Sequence, residues 1–341
     1  MADLPLDGVR IVDLSTLLPG PLATRLLAEA GAEVVKVERP GGEDLRHLPP
    51  LVDGVSLLWT WLNRGKRIVE LDLKTSSGHA AVLELVAGAD VVVEQFRPGV
   101  MARLDLAPDV LLSRFPKLVL CSITGFGQGD LTAGHDLTYQ AESGVLGRLG
   151  QPAIPATLTA DIAGGSWPAV INILLALRRV ERGGPGAHLD MSMTTNLAPF
   201  LLFPLAEQAA RGRWPEAGSL VLEGASPRYG LYRCADGEWL AVAALEDRFW
   251  NRLTAALDVP PTIDGDRLAA RLAIEPLATW VGLLGPLDVC VAPLRTVEQA
   301  VAAGRVAADA EGPAMPLAAA LRASATGAAP GRSEPPQAPW P

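Results

Sequence analysis

Cysteine is scarce in this sequence, and acidic residues outnumber basic ones. The three cysteines are far apart and odd in number, which favours reduced thiols in a cytosol over a disulfide framework. They are Cys121, Cys234 and Cys290. The formal net charge of −9 over 341 residues argues against a nucleic-acid partner and against an anionic membrane partner. Any anion site must therefore be a local basic pocket in an acidic protein.

Signals for export, membrane insertion and metal binding are also missing. The N-terminus lacks the basic-then-apolar layout of a secretory leader, the C-terminus is not a peroxisomal address, and no uncharged run reaches the ~18 residues of a membrane span. His47, His79 and His188 are isolated, without the paired spacing of metal ligands, so we expect ordinary surface or loop histidines there. The sequence predicts a cytoplasmic protein with no membrane partner and no metal.

The phosphate-binding loops of common nucleotide-binding proteins are absent too. No Walker lysine loop and no G-x-G-x-x-G motif follows the first predicted strand. What is present is an alternation of apolar strands, at residues 9–14, 33–38, 68–73, 90–96 and 118–123, with helices at 22–30, 76–87 and 110–115. Such alternation predicts an α/β fold with a Rossmann-like large domain. Its mostly parallel sheet should have a ligand crevice at the carboxyl ends of its strands.

The length and the apolar content predict two domains, since 49% of the residues are hydrophobic. We assign residues 1–210 to the large domain and residues 225–300 to a smaller α+β domain. Residues from about 305 to 341 should pack back on the large domain. The smaller domain opens with a predicted hairpin, strands 229–234 and 239–244, because the Asp236-Gly237 pair supplies the positive φ of a tight turn. A helix at 246–257, a strand at 288–293 and a helix at 297–303 follow.

Two short segments supply acid/base groups of different intrinsic pKa. Residues 134–139 read Gly-His-Asp-Leu-Thr-Tyr and contain His135, and residues 160–165 read Ala-Asp-Ile-Ala-Gly-Gly and contain Asp161. Glycine beside each group lets backbone amides approach a ligand closely, and such a pair can transfer a proton. Two alternatives stay open: Asp161 as the N-cap of the long apolar helix predicted at 167–180, and His135 as a hydrogen-bonded turn residue.

Basic residues stand at or just beyond the ends of several predicted strands. Arginine can grip a phosphate bidentately and stack on an adenine ring, so together these residues predict an anionic, phosphate-bearing substrate. For each one singly, a solvated surface charge is the alternative. The main positions are Arg39, Lys74, Arg97 and Arg103, with Lys66 and Arg67 nearby.

Several segments appear in the order that is typical of one enzyme family. They are residues 6–14, 31–40, 63–68, 71–74, 96–99 and 124–127, the two acid/base segments, and residues 290–293. Together they resemble the class III CoA-transferase family, which includes formyl-CoA and carnitine CoA-transferases and α-methylacyl-CoA racemase. The resemblance covers most of the chain. It implies an acyl-CoA substrate and an interlocked homodimer, in which the large domain of one chain meets the small domain of its partner at the site.

The resemblance also implies which residues contact CoA. Residues that line the CoA pocket would be Leu71, Asp72, Leu73, Lys74, Gln95, Phe96, Arg97 and Arg103, with Arg39 as a further cation for the nucleotide end. The run from Gly134 through Asp136 to Tyr139 would lie along the pantetheine and the thioester, with backbone amides near Asp136 or Asp161 facing the thioester oxygen. No cofactor is implied beyond the coenzyme A that forms part of the substrate.

Within the family, the Gly-His-Asp segment and Glu246 resemble the racemase branch. This implies a racemase or epimerase of fatty-acid metabolism that acts on the α-carbon of a 2-methylacyl-CoA, with His135 and Asp161 as the two bases. Glu246 would pair with the imidazole. The alternative is a CoA-transferase in which Asp161 attacks the acyl-CoA and forms an aspartyl-acyl anhydride. Glu246 could equally be an acidic residue at a helix N-terminus. An idle CoA-binding protein is a third reading, against which the retention of all three side chains argues.

Overall fold

The computed structural model describes residues 4–151, 153–309 and 312–313, which form two compact units. The first unit comprises residues 4–143, 155–199, 308–309 and 312–313, and the second comprises residues 144–151, 153–154 and 200–307. Residues 144–151 and 200–210, assigned from sequence to the large domain, therefore belong to the second unit. Arg148 attaches the segment 144–151 to the second unit, because its guanidinium binds Glu223 at 2.7 Å and the carbonyl of Pro215 at 2.9 Å.

The first unit is an α/β structure. Its described strands are β1 (Arg10–Leu14), β2 (Glu33–Glu38), β3 (Leu51–Val52), β4 (Val55–Ser56), β5 (Arg67–Glu70), β6 (Val91–Glu94), β7 (Val119–Thr124) and β8 (Ala187–Ser192). Its described helices are α1 (Pro19–Glu29), α2 (Leu57–Leu62), α3 (Ser76–Ala87), α4 (Val100–Arg103), α5 (Pro108–Arg114), α6 (Asp136–Glu142) and α7 (Trp167–Glu181). A π-helical segment, Ala160–Ser166, leads directly into α7, and 3₁₀ turns occur at Asp44–His47 and Thr195–Leu201.

The central sheet of this unit has the strand order β5-β2-β1-β6-β7-β8, with parallel pairing throughout. From β1 the chain continues through β2 to β5 at one edge of the sheet. It then crosses back to β6 on the other side of β1 and continues through β7 to β8, so the winding direction reverses between β1 and β6. Ligands of open α/β sheets bind at this reversal, beyond the carboxyl ends of the strands. The prediction of a Rossmann-like unit with a mostly parallel sheet is confirmed.

Both faces of the sheet are covered by helices. On one face Val12, Val92 and Leu120 pack with Val82 of α3 and Leu111 of α5, and on the other α7 packs against β7 and β8. Strands buried on both faces read as continuous apolar runs, which is why the sequence reveals them. Asp13 interrupts the apolar run of β1, and Lys36 interrupts that of β2. Both side chains belong to the charge cluster described with the site below.

The second unit is α+β. Its described strands, β9 (Tyr229–Arg233), β10 (Trp239–Ala243) and β11 (Val291–Pro293), form an antiparallel sheet in the order β11-β10-β9. Its described helices are α8 (Leu202–Arg211), α9 (Asp247–Ala256), α10 (Gly265–Leu272), α11 (Leu277–Leu284) and α12 (Val297–Ala302), with 3₁₀ turns at Leu146–Arg148, Val221–Glu223 and Gly285–Leu287. The predicted hairpin is confirmed, since β9 pairs with β10 and Gly237 in the turn has a φ of +85°.

Several predicted bounds differ from the structure. The first helix begins at Pro19 rather than residue 22, because proline is well suited to the first helical position. The strand predicted from residue 288 begins only at Val291, because Asp288 and Cys290 have φ values of +51° and +55°, outside the extended region. Helices α8, α10 and α11 were not predicted. The core of the second unit nevertheless depends on α10 and α11, which bury Leu268, Leu272, Trp280 and Leu284.

The C-terminal prediction falls mostly outside the described residues. Of residues 305–341, the structure shows that β12 (Ala308–Asp309) and β13 (Gly312–Pro313) form a short antiparallel pair in the first unit. The carbonyl of Pro313 accepts a hydrogen bond from Arg25 Nη2 at 3.3 Å. This contact joins the pair to α1.

One continuous described helix, Ala160–Glu181, is long and apolar enough by length and composition to cross a membrane. Half of its most apolar window is buried inside the protein. A bent pair, Gly265–Leu272 with Leu277–Leu287, meets the same test only if it is counted as one broken span. Among the described residues, no group of three or more His, Cys, Asp or Glu side chains is arranged to hold a metal ion.

Candidate active site

A groove of about 640 Å³ opens at the carboxyl ends of the first unit's strands, a size typical of ligand sites. Its walls come from the segments that follow β1, β2, β5 and β6, on both sides of the winding reversal. The lining residues are Leu14, Thr16, Leu17, Val37, Glu38, Arg39, Pro40, Glu43, Asp44, Leu71, Asp72, Leu73, Lys74, Phe96, Val100 and Leu104. The sheet topology and the cavity therefore agree on where a ligand binds.

About half of the predicted CoA-binding residues line this groove. Those that do are Arg39, Leu71, Asp72, Leu73, Lys74 and Phe96; those that do not are Gln95, Arg97, Arg103, Gly134, Asp136 and Tyr139. Arg39 donates to the carbonyl of Gly42 at 2.9 Å and pairs with Asp44. Since both side chains of that ion pair are exposed, the guanidinium remains accessible to an anion in the groove.

Two of the other predicted residues, Gln95 and Arg97, make side-chain contacts within the protein, and a third, Arg103, is exposed. Gln95 Oε1 accepts a hydrogen bond from the N–H of Gly20 at 3.1 Å, at the start of α1. Arg97 Nη2 donates to the carbonyl of Leu131. Arg103 is the last residue of α4 and is exposed, so the expectation that it stands at a strand end is wrong. Their roles toward CoA stay predictions.

Beneath the groove lies a buried cluster of four charges that the sequence analysis did not identify. Asp13, Lys36, Glu43 and Lys66 are each at most 4% exposed at the side chain. Lys66 Nζ contacts Asp13 Oδ2 at 3.1 Å, and Lys36 Nζ contacts Glu43 Oε1 at 3.1 Å. The Lys66 side chain is thus buried and paired with Asp13. The prediction of Lys66 as a candidate phosphate ligand is wrong. A charged residue in an apolar strand, as in Val12-Asp13-Leu14 and Val35-Lys36-Val37, was the available signal.

The pKa values in this cluster follow from its pairing. Burial would raise the pKa of Asp13, but Lys66, Lys36 and the hydroxyls of Ser15 and Thr24 together hold that pKa well below its usual range. Burial lowers the pKa of Lys66 to about 8, against the opposing attraction of Asp13. Each charge therefore depends on its neighbours.

His135 precedes α6 and has an exposed side chain. Its N–H donates to Thr138 Oγ1 at 3.0 Å, and its carbonyl accepts from the same hydroxyl at 2.8 Å. The backbone is fixed in this way while the imidazole faces outward. Gly134 is needed for close packing, because a Cβ there would lie 2.5 Å from a ring carbon of Tyr139, and the Tyr139 hydroxyl donates to the carbonyl of Gly134 at 2.5 Å.

Asp161 lies in the first turn of the π-helical segment that leads into α7. The helical run starts at Ala160, before Asp161, so the N-cap alternative for Asp161 is wrong. Two glycines of the segment allow close packing: a Cβ on Gly164 would lie 2.3 Å from the carbonyl oxygen of Met193, and one on Gly165 would lie 3.0 Å from Pro19. A π-helical turn of this kind often marks a functional site.

Asp136 connects the two acid/base segments. Its Oδ1 accepts a hydrogen bond from the N–H of Asp161 at 2.9 Å, and its Oδ2 accepts one from Gln140 Nε2 at 2.6 Å. The N–H of Asp161 itself therefore has an acceptor within the protein, and the prediction that amides near Asp136 or Asp161 face the thioester oxygen depends on the other amides of these segments. The N–H of Asp136 belongs to the first residue of α6, a position that has no intrahelical acceptor.

The electrostatics of Asp161 follow from this contact. Burial and the negative charge of Asp136 raise the pKa of the half-buried Asp161 to about 6, and His135 opposes the shift. A carboxyl group with such a pKa exchanges protons near neutral pH, where an ordinary aspartate is already ionised. The structure thus brings His135, Asp136 and Asp161 together.

Glu246 belongs to the second unit, where it immediately precedes α9. Its carbonyl accepts hydrogen bonds from the N–H groups of Phe249 and Trp250 at 3.0 Å each, and its side chain is exposed. This is the helix N-terminus position considered as an alternative. The pairing of Glu246 with the imidazole stays a prediction.

The remaining histidines lie on three separate elements. His188 lies on β8 rather than in a loop, and its Nε2 is 2.9 Å from the hydroxyl of Ser122 on β7. His79 lies in α3 and His47 in a 3₁₀ turn. Cys121 and Cys234 are buried free thiols, and Cys290 is exposed.

Comparisons with known proteins identify one family. Residues 6–338 match the family model described as CoA-transferase family III. The chain is 37% identical to mouse α-methylacyl-CoA racemase, covering 87% of this chain and 79% of that protein. It is 34% identical to succinyl-CoA:mesaconate CoA-transferase of Haloarcula hispanica, covering 82% and 75%.

A solved structure agrees at the level of the fold. A CAIB/BAIF family protein from Brucella suis superposes with a TM-score of 0.77 at 28% identity, covering 88% of this chain and 86% of that one. Both reactions named among the relatives are enzymatic, and the matched region extends beyond residue 293, where the resemblance seen in the sequence ended. The chain belongs to CoA-transferase family III.

Proposed function

We propose that this enzyme is a racemase or epimerase that acts on the α-carbon of a 2-methylacyl-CoA by two-base proton transfer. The observation that carries the proposal is the joint occurrence of an exposed imidazole, His135, and a half-buried carboxyl group, Asp161, whose pKa is raised to about 6. Removal of an α-proton from one face and its return to the other require two such groups.

The raised pKa suits proton transfer by Asp161. A general base works best when its pKa is close to the working pH, because it must both accept and release the proton. Burial and Asp136 therefore serve the proton-transfer role of Asp161. The same basicity would make the carboxylate a better nucleophile, so the preference for a racemase rests on His135 and is tested by the isotope experiment below.

In this mechanism His135 and Asp161 lie on opposite faces of the α-carbon. One removes the α-proton, the negative charge moves to the thioester oxygen, and the other returns a proton to the opposite face. The N–H of Asp136, at the start of α6, is the proposed donor to that oxygen, since helix N-termini favour negative charge. The groove receives the nucleotide end, with Arg39 and Lys74 as its cations.

CoA transfer is the second candidate, favoured by the same Asp161 carboxylate and by the transferases among the relatives. Asp161 would attack the thioester carbonyl, the C–S bond would break, and CoA would leave as the thiolate, with a mixed anhydride at Asp161. The thiolate would then attack the Asp161 carbonyl of the anhydride, which releases the donor acid and leaves CoA on Asp161 as a thioester. An acceptor carboxylate would attack that thioester to give a second anhydride, from which the thiolate takes the acceptor acyl group and regenerates Asp161. In this chemistry His135 makes no proton transfer at carbon.

We also propose that the enzyme is an interlocked homodimer. α7 exposes a stripe of large apolar side chains at helical spacing, Trp167, Ile171, Leu174 and Leu175, and such stripes on a soluble protein mark interaction surfaces. A second copy would cover them and would contribute its Glu246 beside the imidazole. Sedimentation at micromolar concentration that showed only monomers would contradict the dimer.

CoA enters and leaves as part of the substrate in both reactions, and neither requires a metal or another cofactor. We propose that the enzyme is cytoplasmic and belongs to fatty-acid metabolism. Its acidic net charge supports the absence of a nucleic-acid partner and of an anionic membrane partner.

The deciding experiment is incubation of the protein with one enantiomer of a 2-methylacyl-CoA in D₂O. Two-base transfer predicts deuterium at the α-carbon together with loss of chirality. Incubation with an acyl-CoA and a free carboxylic acid tests the alternative. Formation of a new thioester, with no deuterium at the α-carbon of any acyl-CoA tried, would overturn the racemase proposal in favour of transfer.

A further inference from the structure

The loop between β1 and α1 forms part of the groove wall in an unusual conformation. Thr16 and Leu17 line the groove, and Leu17 has a φ of +61°. The left-handed region costs an ordinary L-residue roughly 1–2 kcal/mol, and glycine is the usual residue there. Some contact must therefore hold Leu17 in place.

Those contacts come from the buried charge cluster. The carboxylate of Glu43 accepts a hydrogen bond from the N–H of Leu17 at 2.7 Å, and Lys36 Nζ donates to the carbonyl of Ser15 at 2.7 Å. The carboxylate of Asp13 accepts from the N–H of Ser15 at 2.9 Å. Three buried charges thus bind the backbone of two residues in one loop.

The two oxygens of Glu43 have different partners. Oε1 lies 3.1 Å from Lys36 Nζ, and Oε2 accepts the N–H of Leu17. Glu43 follows β2 and also lines the groove, so it joins the groove wall after β2 to the wall after β1. Buried ion pairs contribute little net stability, whereas a fixed wall lowers the cost of ordering a site when its ligand binds.

We propose that Lys36 and Glu43 are positioning residues for the CoA groove, which hold Leu17 in its left-handed conformation and so give the groove the shape that receives CoA. This inference rests on the proposed function for the identity of the ligand. The contacts that hold Leu17 are present in the free protein, so they do not depend on the proposed function.

Two variants separate the effect of the length of the Glu43 side chain from the effect of its charge. Glu43→Asp keeps the negative charge beside Lys36, so the cluster stays neutral, but its shorter side chain does not reach both Lys36 and Leu17. Glu43→Gln keeps the length and removes the charge. The matched control is Glu29→Gln, which breaks an ion pair of 3.0 Å to the buried Arg25 in α1, where neither residue lines the groove.

Hydrogen exchange in the free protein tests the hold directly. We expect the amide of Leu17 to exchange about tenfold faster or more in Glu43→Asp than in the wild type, since an amide without its acceptor opens more easily. Glu29→Gln should leave that amide unchanged. An unchanged rate at Leu17 in both Glu43 variants would overturn the inference.

Calorimetry with CoA tests whether the conformation of Leu17 affects CoA binding. We expect Glu43→Asp to bind CoA about tenfold more weakly and, in turnover, to raise KM with kcat within about twofold of wild type. A loss of folded protein would instead lower kcat at constant KM. A faster Leu17 amide with unchanged CoA affinity would overturn the positioning role. Failure of the wild type to bind CoA would overturn the proposed function, while the exchange result would still decide the hold on Leu17.

Discussion

The carboxylate of Asp136 accepts a hydrogen bond of 2.9 Å from the backbone N–H of Asp161. The contact fixes the first turn of the segment that carries Asp161, and it holds a negative charge close to the Asp161 carboxyl group. One residue thus orients the candidate base and raises its pKa. Two of the predictions below follow from this relationship.

Asp161→Asn should abolish turnover and stabilise the fold. The folded-state pKa of about 6 lies above the ordinary value of an aspartate, so ionisation of Asp161 costs folded-state stability. That cost grows as the pH rises from about 4 to 6 and is complete above it. Removing the charge should raise the free energy of unfolding at pH 7 by about 1–3 kcal/mol. Urea denaturation at pH 7 measures the gain, which should disappear near pH 3.5; near wild-type turnover would contradict the site.

The pH profile should report the same group. Below a pH of about 6 the Asp161 carboxyl group is protonated and cannot accept a proton, so kcat/KM should fall tenfold per pH unit for the enantiomer whose α-proton it removes. His135→Ala, assayed for residual exchange, should keep this acidic limb. A profile that is flat from pH 5 to pH 7 for both enantiomers would speak against Asp161 as a base.

His135→Ala should lower α-proton exchange by ~10²–10⁴-fold, the typical effect of losing a general acid/base. The two enantiomers should be slowed unequally, because only one face loses its base. Exchange is measured from deuterium incorporation for each enantiomer. If acyl transfer persists in this variant and hydroxylamine traps an activated acyl group at Asp161, the enzyme is a transferase.

Arg39→Ala should weaken CoA binding by ~1–3 kcal/mol, since a charge-assisted contact is lost. Higher salt should weaken wild-type binding as well. Arg97→Ala provides the comparison: its guanidinium binds the carbonyl of Leu131 and does not line the groove, although the sequence predicts a similar loss. Calorimetry that showed unchanged affinity in both variants would locate the nucleotide elsewhere.

Gly164→Ala should destabilise the first unit by several kcal/mol, because the added Cβ would lie 2.3 Å from the backbone oxygen of Met193 and backbone must move to accommodate it. The matched control is Gly282→Ala in α11, where a Cβ meets nothing within 4 Å. There alanine should stabilise by about 0.5–1 kcal/mol. Thermal melts of both variants measure the contrast, and equal melting temperatures would contradict it.

The sequence predicted the parallel sheet well because its strands are buried on both faces and read as apolar runs, as in Val91–Glu94. Strand ends then located the groove residues Arg39 and Lys74. Buried charges at Asp13 and Lys36 were signalled by the apolar strands around them, but their partners were not predictable, because pairing Asp13 with Lys66 requires knowing that β1 lies close to the segment before β5. The same holds for α10 and α11, whose buried faces become evident only against the three-stranded sheet.

At the acid/base segments, the sequence predicted side chains that the structure brings together, His135 and Asp161, but not what the glycines do. They looked like positions where a ligand approaches the backbone, whereas Gly134 and Gly164 accommodate Tyr139 and Met193. The role of Asp136 was also missed, because a bond from its carboxylate to the amide of Asp161 depends on how the intervening chain returns. Close packing and long-range hydrogen bonds of this kind leave no local pattern.

The start of α1 has a consequence for cofactor choice. In dinucleotide-binding proteins with this strand order, the pyrophosphate lies on free N–H groups where the first helix begins. Here Pro19 and Pro21 have no N–H, the N–H of Gly20 is bonded to Gln95 Oε1, and the N–H of Leu22 is bonded to the carbonyl of Leu18. A nicotinamide or flavin dinucleotide would find no donors there. The unit has the strand order of dinucleotide-binding folds without their free N–H donors at α1, so a nucleotide in the groove would be bound by side chains such as Arg39 and Lys74.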